Sequence, residues 1–357
     1  MLRPCHLRCD HYLGDMSQTN EAPIRAERLG RLGKITLTRP QALNALTRSM
    51  IRDIHAVLQL WAEDASISAV LLRGEGRAFC AGGDIKAVWE AVGRDEHPGG
   101  FFWDEYLLDH AIHHFPKPVV SFMDGFVMGG GAGISVLGSH RIATEATRFA
   151  MPETAIGFYP DAGGTFFLSR LDPTVARYLG VTGARIDGAD CLQCGLATQF
   201  VVSAKLDVLE QDMAEGSDLE QALVKHSSHP GEASLDRDAK AIARVFGHDD
   251  LPTLLQALGL EDNDWGGRTR ELVAGASPSS MALTLAQLKW GAGKSLADCL
   301  VMEYRLSLRR TRSNDFHEGV RARLVDRSKP PAWSDLAEDA DLASLFVPLD
   351  EPELPLS

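Results

Sequence analysis

Acidic side chains in apolar stretches are the first candidates for chemistry in this sequence. Glu153 and Asp161 lie in "AMPETAIGFYPDAGGTFFLSRL", residues 150–171, among Met, Ile, Phe and Tyr. A carboxyl group in apolar surroundings has its charged form disfavoured, so its pKa rises toward the range that is useful for proton transfer. Glu153 is therefore the first candidate for an acid–base or nucleophilic group, although a carboxylate that caps a helix after Pro152 fits the residue types equally well.

A third acid, Glu105, lies in "FFWDEYLLDHAIHHF", where apolar residues recur at helical spacing. His113 and His114 close this segment before a proline. Histidines at a helix end more often cap the helix or face solvent than take part in catalysis, so they are assigned no role. Glu105 stands on the same predicted helix, whose face is set by Phe102, Tyr106, Asp109 and His113.

Two glycine-bearing turns, "AFCAGGDIKAV" at 78–88 and "VMGGGAGISV" at 127–136, lie where a strand is followed by a helix. Such junctions leave backbone N–H groups unpaired at the positive end of a helix dipole, which suits an anion. The second turn lacks the last glycine of a dinucleotide fingerprint, and Gly-Lys-Ser/Thr of a phosphate loop is absent. Amides that face a reacting oxygen and close helix packing both remain possible for each turn.

Short β-branched runs alternate with helical patterns and would position these turns. The runs are "KITLT" at 34–38, "SAVLLRG" at 68–74, "PVVSFM" at 118–123 and "QFVVS" at 199–203. Between the first two, one apolar stripe recurs at helical spacing: Leu46, Met50, Ile54, Leu58 and Trp61. This rhythm of strand, helix and strand predicts an α/β fold.

Four regions follow from the pattern along the chain. We expect an N-terminal extension without order at 1–23, a core at 24–203, a helical region at 204–333 and an acidic tail at 334–357. Strand signals fade after residue 203, where "HSSHPGEASLDRD" is typical of a polar linker between helices. The tail carries much of the acidic surplus, which favours a solvated segment over one that docks.

Composition excludes several classes of partner. Asp and Glu number 49 against 36 Lys and Arg, a net charge of −13, so no basic field exists to collect nucleic acid or anionic lipid. No apolar run is long enough to predict a membrane-spanning helix. Six cysteines are few for 357 residues, which favours a reducing compartment, and Cys191 and Cys194 are interpreted as buried thiols rather than metal ligands.

The motifs together resemble the crotonase (enoyl-CoA hydratase/isomerase) superfamily and, within it, the 3-hydroxyisobutyryl-CoA hydrolases. The resemblance extends roughly from Ile24 to Trp333 and rests on "LTRPQALNALT", "GRAFCAGGDIKAV", "KPVVSFMDGFVMGGGAGISV", "ATRFAMPETAIGFYPDAGGTFFLSRL" and "MEYRLSLRRTRSNDFHEGVRARLVDRSKPPAW". It implies a spiral of ββα units with an extended helical C-terminal region. It also implies a homo-oligomer, a trimer or hexamer, in the cytoplasm of a bacterium or the mitochondrial matrix of a eukaryote.

The resemblance also assigns site residues by position. The backbone N–H groups of Gly83 and Gly130 resemble the pair that holds the thioester oxygen, where amides stabilise a developing oxyanion. Hydratases of the superfamily have a catalytic Glu where this chain has Gly133. Glu153 matches the second hydratase acid, and the hydrolase-like sequence adds Asp161 and Glu105 to the substrate site.

The implied activity is hydrolysis of a short branched 3-hydroxyacyl-CoA thioester, most plausibly 3-hydroxyisobutyryl-CoA in valine catabolism. Coenzyme A is then part of the substrate, and no separate cofactor or metal is expected. Two alternatives stay open: an enoyl-CoA hydratase or isomerase, against which Gly133 argues, and a non-catalytic acyl-CoA-binding protein, against which Glu153 and Asp161 argue. Whether Glu153 attacks the carbonyl or activates water is open as well.

Overall fold

Two β-sheets form the centre of the computed structural model, which describes residues 22–94, 96–334 and 342–356. The larger sheet has the strand order β1-β2-β3-β5-β7-β10 and is parallel except for β1, and the smaller has the order β4-β6-β8-β9. The strands are β1 (Ile24–Leu29), β2 (Leu32–Leu37), β3 (Ala69–Gly74), β4 (Ala78–Cys80), β5 (Val119–Met123), β6 (Phe126–Met128), β7 (His140–Ala143), β8 (Arg148–Ala150), β9 (Ile186–Asp187) and β10 (Gln199–Phe200).

The four predicted strands are all present, and the predicted α/β class is confirmed. β5 is buried along its whole length and β3 along its first four residues, as parallel strands covered on both faces should be. The two strands pair in register, with Val70 opposite Val119. Because β4 and β6 are also parallel neighbours, the turns that follow them emerge at the same edge of the smaller sheet.

The helices surround the sheets and dominate the C-terminal half. They are α1 (Arg48–Glu63), α2 (Ile85–Val92), α3 (Gly99–His113), α4 (Gly130–Val136), α5 (Gly164–Leu168), α6 (Pro173–Thr182), α7 (Gly188–Gln193), α8 (Leu206–Ala214), α9 (Leu219–His226), α10 (Ser234–Phe246), α11 (Leu251–Gly259), α12 (Asp264–Ala274), α13 (Pro278–Gly291), α14 (Leu296–Arg310) and α15 (Asn314–Val320). Short 3₁₀ turns lie at Pro40–Ala42, Glu153–Ile156, Ser203–Lys205 and Leu342–Phe346, and a π turn at Arg321–Val325.

Local sequence explains where these helices begin. Thr47 accepts a hydrogen bond from the Met50 N–H at the start of α1, and the predicted apolar stripe of that helix is buried. Ser277 caps α13 in the same way, with Pro278 at its first position, where a missing N–H costs nothing. The predicted helical character after residue 203 is confirmed, and the polar stretch 227–233 connects α9 to α10.

The C-terminal helices share one hydrophobic core with the sheets. A single buried cluster runs from Ile24 in β1 to Leu354 near the C-terminus, and α6 packs against both α10 and α13. A smaller cluster on the other face of the larger sheet is covered by α8 and α9. The region 204–333 therefore packs directly on the region that carries the glycine turns.

The expectation of a solvated acidic tail is wrong for residues 342–356. Glu353 accepts two hydrogen bonds from Arg305, at 2.6 and 2.7 Å, and Arg309 donates to the carbonyl of Leu345 at 2.8 Å. Leu354 is buried in the main cluster. Burial of the apolar residues that lie among the acids stabilises this docking, and so do the hydrogen bonds from two arginines on α14. Together these contributions outweigh the solvation that the charged groups lose. Residues 1–21 of the predicted 1–23 extension lie outside the described residues, as do residues 335–341 and 357 of the tail.

Candidate active site

One cavity of about 1160 Å³ brings the predicted site residues together. Its walls contain the five residues predicted from sequence: Gly83, Glu105, Gly130, Glu153 and Asp161. A second part of the lining is basic and aromatic, with Lys86, Tyr178, Arg185, Trp265, Arg268 and Arg323. The cavity lining therefore contains both buried carboxyl groups and cationic side chains, as a ligand with an anionic part would need.

The amides of Gly83 and Gly130 face one small space. Gly83 lies between β4 and α2, and Gly130 is the first residue of α4. A Cβ placed on Gly130 would lie 3.4 Å from the Gly83 nitrogen and would overlap Oε1 of Glu105. Within the described chain neither N–H donates to a backbone carbonyl, as expected before the first turn of a helix. Two amides without a backbone acceptor thus lie beside a space that a side chain would fill.

Glycine is also required next to this space, at Gly129. Its φ of 51° is in the left-handed region, and a Cβ there would lie 2.8 Å from Oε1 of Glu153. The backbone therefore approaches the Glu153 carboxyl group as closely as it can. This approach places the acid directly beside the first turn of α4.

Glu153 opens the 3₁₀ turn that follows β8 and is 7% exposed. Its Oε2 has no hydrogen-bond partner among the described residues. Burial first, and then the nearby charge of Asp161, raise the pKa of Glu153 well above its ordinary value. A half-unsatisfied buried carboxyl group at a cavity wall is an expensive arrangement for a purely structural residue.

Asp161 lies at a strained turn before α5. Ala162 and Gly163 both have left-handed φ angles, 52° and 81°. The turn is held by Glu303 of α14, whose carboxyl oxygens each accept a backbone N–H at 2.8 Å, from Gly163 and Thr165. Tyr106 donates a 2.7 Å hydrogen bond to Asp161, whose pKa burial raises to about 7.

Glu105 has a second buried acid one helical turn away. Asp109 follows it on α3, and both side chains are almost completely buried. Burial is the main reason why the pKa of each is raised well above its ordinary value. Oε1 of Glu105 and both carboxyl oxygens of Asp109 lack a partner among the described residues. Glu105 at the cavity wall and Asp109 behind it are therefore carboxyl groups whose neutral form is favoured by burial.

Position 133 has no room for a side chain. A Cβ on Gly133 would lie 2.7 Å from the carbonyl oxygen of Ala162 and 3.0 Å from Oδ1 of Asp109. Real Cβ atoms essentially never come within 3.0 Å of another heavy atom, so a larger residue requires the backbone of the Asp161 turn to move. The turn that carries Asp161 thus fills the volume next to α4.

Sequence reasoning missed several side chains around the cavity. Glu303 comes from the C-terminal helices, and Arg185, Arg268 and Arg323 come from three separate segments of the chain. No local motif marks such residues, because only the fold brings them together. For Asp109 a signal existed, since it stands four residues after Glu105 and so on the same helix face.

Several other charged or reactive side chains stay outside this arrangement. Arg39 donates to the carbonyl of Ala45 at 2.6 Å and lies 3.7 Å from Asp84. Cys80 is buried, and burial raises the pKa of its thiol to about 12, so it is a packed residue and not a nucleophile. Cys191 is buried and free, and within 22–94, 96–334 and 342–356 no three His, Cys, Asp or Glu side chains are grouped as a metal site would need.

None of the helices in those same ranges combines the length and apolar character that crossing a bilayer requires.

Sequence comparison adds named relatives to this geometry. The family model described as enoyl-CoA hydratase/isomerase matches residues 32–344. The chain is 40% identical to the mitochondrial 3-hydroxyisobutyryl-CoA hydrolase of Danio rerio, over 96% of this chain and 94% of that protein. It is 38% identical to the enzyme of the same name from Homo sapiens, with the same two coverages.

Solved structures with the same fold carry different functional names. The structure described as a carnitinyl-CoA dehydratase from Mycobacterium thermoresistibile has a TM-score of 0.88 and 37% identity, covering 93% of this chain and 98% of that one. The structure described as an enoyl-CoA hydratase from Rhodobacter sphaeroides also has a TM-score of 0.88, with 34% identity and coverages of 94% and 100%. These two structures confirm the predicted crotonase fold.

Proposed function

Since this chain belongs to the enoyl-CoA hydratase/isomerase family, we propose that it hydrolyses a short branched 3-hydroxyacyl-CoA thioester. The proposed substrate is 3-hydroxyisobutyryl-CoA, and the products are 3-hydroxyisobutyrate and coenzyme A. Two relatives that match nearly the full chain are named for this hydrolysis. The same reaction would place the protein in valine catabolism.

The observation that carries this proposal is position 133. A hydratase needs a second carboxylate there to add water across a double bond, and this chain has a glycine with no space for a Cβ beside Ala162. Glu153 remains at the cavity wall, and Asp161 arrives on the turn that fills the space. The site thus keeps the acid at Glu153 and has Asp161 in place of an acid at position 133. This arrangement favours attack at the carbonyl carbon over addition of water to an alkene.

In the proposed reaction the thioester oxygen accepts hydrogen bonds from the N–H groups of Gly83 and Gly130. These donors stabilise the negative charge that develops on the oxygen in the transition state, typically by a factor of about 100 to 1000 for each donor. Because both amides are held by helix starts and glycine turns, they need little reorganisation when the charge develops.

Glu153 supplies the nucleophile or the base. In one route its carboxylate attacks the carbonyl carbon, the C–S bond breaks, coenzyme A leaves as the thiolate, and water opens the resulting anhydride. In the other route Glu153 removes a proton from the water that attacks. Both routes need the ionised carboxylate, and burial raises the pKa of Glu153 and so disfavours that form.

Asp161 and Glu105 would orient the reactants. Asp161, held by Tyr106, is suited to align the attacking water or the Glu153 carboxylate. Glu105 has a free Oε1 at the cavity wall and can bind the 3-hydroxyl group of the acyl chain. A polar pocket of this kind rejects analogues without the hydroxyl group more strongly than an apolar pocket rejects an extra methylene.

Coenzyme A would occupy the basic part of the cavity. Its phosphate groups need local cations in a protein of net charge −13, and Arg185, Arg268 and Arg323 line that part. Guanidinium groups suit phosphate because they donate in pairs. These steps use protein groups throughout, so we propose no separate cofactor or metal.

A hydratase or dehydratase is the second candidate, favoured by the names of the two similar structures. An assay with two substrates distinguishes the candidates. Purified protein is mixed with 3-hydroxyisobutyryl-CoA and, separately, with crotonyl-CoA, and the free thiol and the enoyl absorbance are followed. We expect thiol release from the first substrate, abolished in Glu153→Gln and retained in Glu215→Gln, an exposed control far from the cavity lining. Loss of enoyl absorbance without release of free thiol would favour the hydratase. No change in the free thiol or in the enoyl absorbance would favour a non-catalytic acyl-CoA binder.

Assembly and compartment are further proposals. The family resemblance favours a homotrimer or hexamer, which sedimentation analysis of the purified protein would test. The animal relatives are named as mitochondrial proteins, and a matrix location is proposed for this chain only if its source is eukaryotic. In a bacterium the proposed location is the cytoplasm.

A further inference from the structure

A chain of buried hydroxyl groups leads from Asp161 to α14. The Tyr106 hydroxyl lies 2.7 Å from Oδ2 of Asp161 and 2.7 Å from Oγ of Ser307. Ser307 Oγ lies 2.7 Å from the Tyr159 hydroxyl, which also lies 2.5 Å from the carbonyl oxygen of Glu303. All three hydroxyl groups are completely buried. Nothing in the proposed steps at the thioester uses Ser307 directly.

The hydrogens of this chain have one consistent arrangement at Tyr106. Each hydroxyl group has a single hydrogen to donate. Tyr106 donates its hydrogen to Asp161, so the contact between Tyr106 and Ser307 requires the hydrogen of Ser307 to point at the Tyr106 oxygen. Tyr159 donates its hydrogen to the Glu303 carbonyl. Ser307 then has one hydrogen for two neighbouring hydroxyl oxygens, and its donation to Tyr106 is the arrangement that makes the contact between Tyr106 and Ser307 a hydrogen bond.

Four carboxyl groups from three neighbouring elements interact with Asp161. Glu153 lies in the 3₁₀ turn, Glu105 and Asp109 on α3, and Glu303 on α14, and each interacts electrostatically with Asp161. Burial disfavours the charged form of Asp161, and the hydrogen bond from Tyr106 is the side-chain contact that favours it. The charge of Asp161 therefore depends strongly on how well Tyr106 is held.

We propose that Ser307 is a positioning residue for the reaction: its hydroxyl group donates to Tyr106 and holds the Tyr106 hydroxyl on the Asp161 carboxylate. This inference rests on the proposed function, because it gives Asp161 a task at the cavity wall. A donor to Tyr106 also polarises the next hydrogen bond in the chain and so strengthens it. Ser307 acts through Tyr106 and does not touch the substrate.

The direct test reads the charge of Asp161 without any substrate. Protein labelled with ¹³C at Asp carboxyl carbons is titrated by NMR, and Asp161→Asn identifies the resonance. Removing the hydrogen bond in Tyr106→Phe should raise the pKa of Asp161 by about one unit. Ser307→Ala should raise it by about half a unit, the share expected for loss of one polarising neighbour. If Ser307→Ala does not fold, Ser307→Cys keeps the volume with a weak donor and should shift the pKa in the same direction.

The double variant separates positioning from general damage. If Ser307 acts through Tyr106, the variant with both Tyr106→Phe and Ser307→Ala should titrate as Tyr106→Phe alone. Hydrolysis should follow the same rule: kcat/KM falls in each single variant, and the second substitution adds no further loss. Thr311→Val is the matched control, because this buried hydroxyl at the C-terminal end of α14 donates at 2.8 Å to the carbonyl of Ser307 and should leave the Asp161 titration unchanged.

Two results would overturn the inference. One is a pKa of Asp161 in Ser307→Ala that equals the wild-type value. The other is a pKa of Asp161 in the double variant that is higher than in Tyr106→Phe by the full shift seen in Ser307→Ala. Failure of the proposed function looks different, because wild-type protein would then release no thiol from 3-hydroxyisobutyryl-CoA. The NMR titration would still decide in that case whether Ser307 controls Asp161.

Discussion

Replacing Gly130 with Ala tests the two-amide site with a single methyl group. The new Cβ would overlap Oε1 of Glu105 and lie 3.4 Å from the Gly83 nitrogen. An oxyanion must itself lie about 2.7–3.1 Å from each donor nitrogen, so the methyl group competes with the substrate oxygen for the same small space. Helix α4 tolerates Ala by propensity, and the expected damage is therefore to the site and not to the helix.

The size of the effect follows from what the methyl group blocks. Loss of one oxyanion donor lowers kcat by about 100-fold to 1000-fold, or about 2.7–4 kcal/mol of transition-state stabilisation. Gly130→Ala displaces the oxygen from Gly130 and crowds Gly83, so we expect a loss of at least about 100-fold. The Glu105 carboxyl group must also move, which should weaken binding of the substrate hydroxyl group and raise KM.

The assay is thiol release from 3-hydroxyisobutyryl-CoA together with the melting temperature of the variant. Gly267→Ala is the matched control, since this glycine lies inside α12 and no other heavy atom comes within 4 Å of a Cβ placed there. It should gain about 0.5–1 kcal/mol of stability and keep wild-type kcat. A folded Gly130→Ala protein with kcat within tenfold of wild type would refute the assignment of the oxyanion site.

Three further outcomes are expected. Gly133→Ala should lower the free energy of unfolding by about 1–3 kcal/mol in urea, because its Cβ meets the Ala162 carbonyl, and unchanged stability would contradict the described packing. Burial raises the pKa of Glu303 from 4.5 to about 8, so the folded protein keeps a proton that the unfolded chain loses, and stability falls as the pH rises through this window. Urea unfolding at about pH 5 and about pH 8 measures this decrease in the free energy of unfolding, which should be smaller in Glu303→Gln than in wild type. An equal decrease in the two proteins would exclude Glu303 as its source. Arg305→Ala removes both hydrogen bonds to Glu353 and should speed proteolytic cleavage near the C-terminus, whereas cleavage at the wild-type rate would argue against docking of 342–356.

Periodicity was sufficient for the framework of the fold. The run 68–74 predicted β3, and the stripe from Met50 to Trp61 predicted α1, because a buried strand and an amphipathic helix each leave a local pattern of apolar residues. The docking of 342–356 was not predictable in this way. It depends on Arg305 and Arg309, which stand in another element and give no sign in the tail sequence itself.

The predicted site residues share a feature that their supports lack. Gly83, Gly130 and Glu153 each stand in a distinctive local motif, and the structure places all three on one cavity. Glu303 and Ser307 stand in an ordinary amphipathic helix, where a Glu and a Ser one turn apart are usually solvent-facing residues. Their burial follows from the packing of α14 against α3 and α5, which no window of sequence contains.

The support of the Asp161 turn has a consequence for the protein during its synthesis. A nascent chain exposes its N-terminal part first, and the sheets, both amides and Glu153 precede α14 in the order of translation. Until the ribosome has released Glu303 and Ser307, the turn after Pro160 has no cap and the Tyr106 hydroxyl has no donor. The protein therefore reaches a competent site only when nearly its full length has emerged, and a chain cut short before α14 would hold the oxyanion amides without a fixed Asp161.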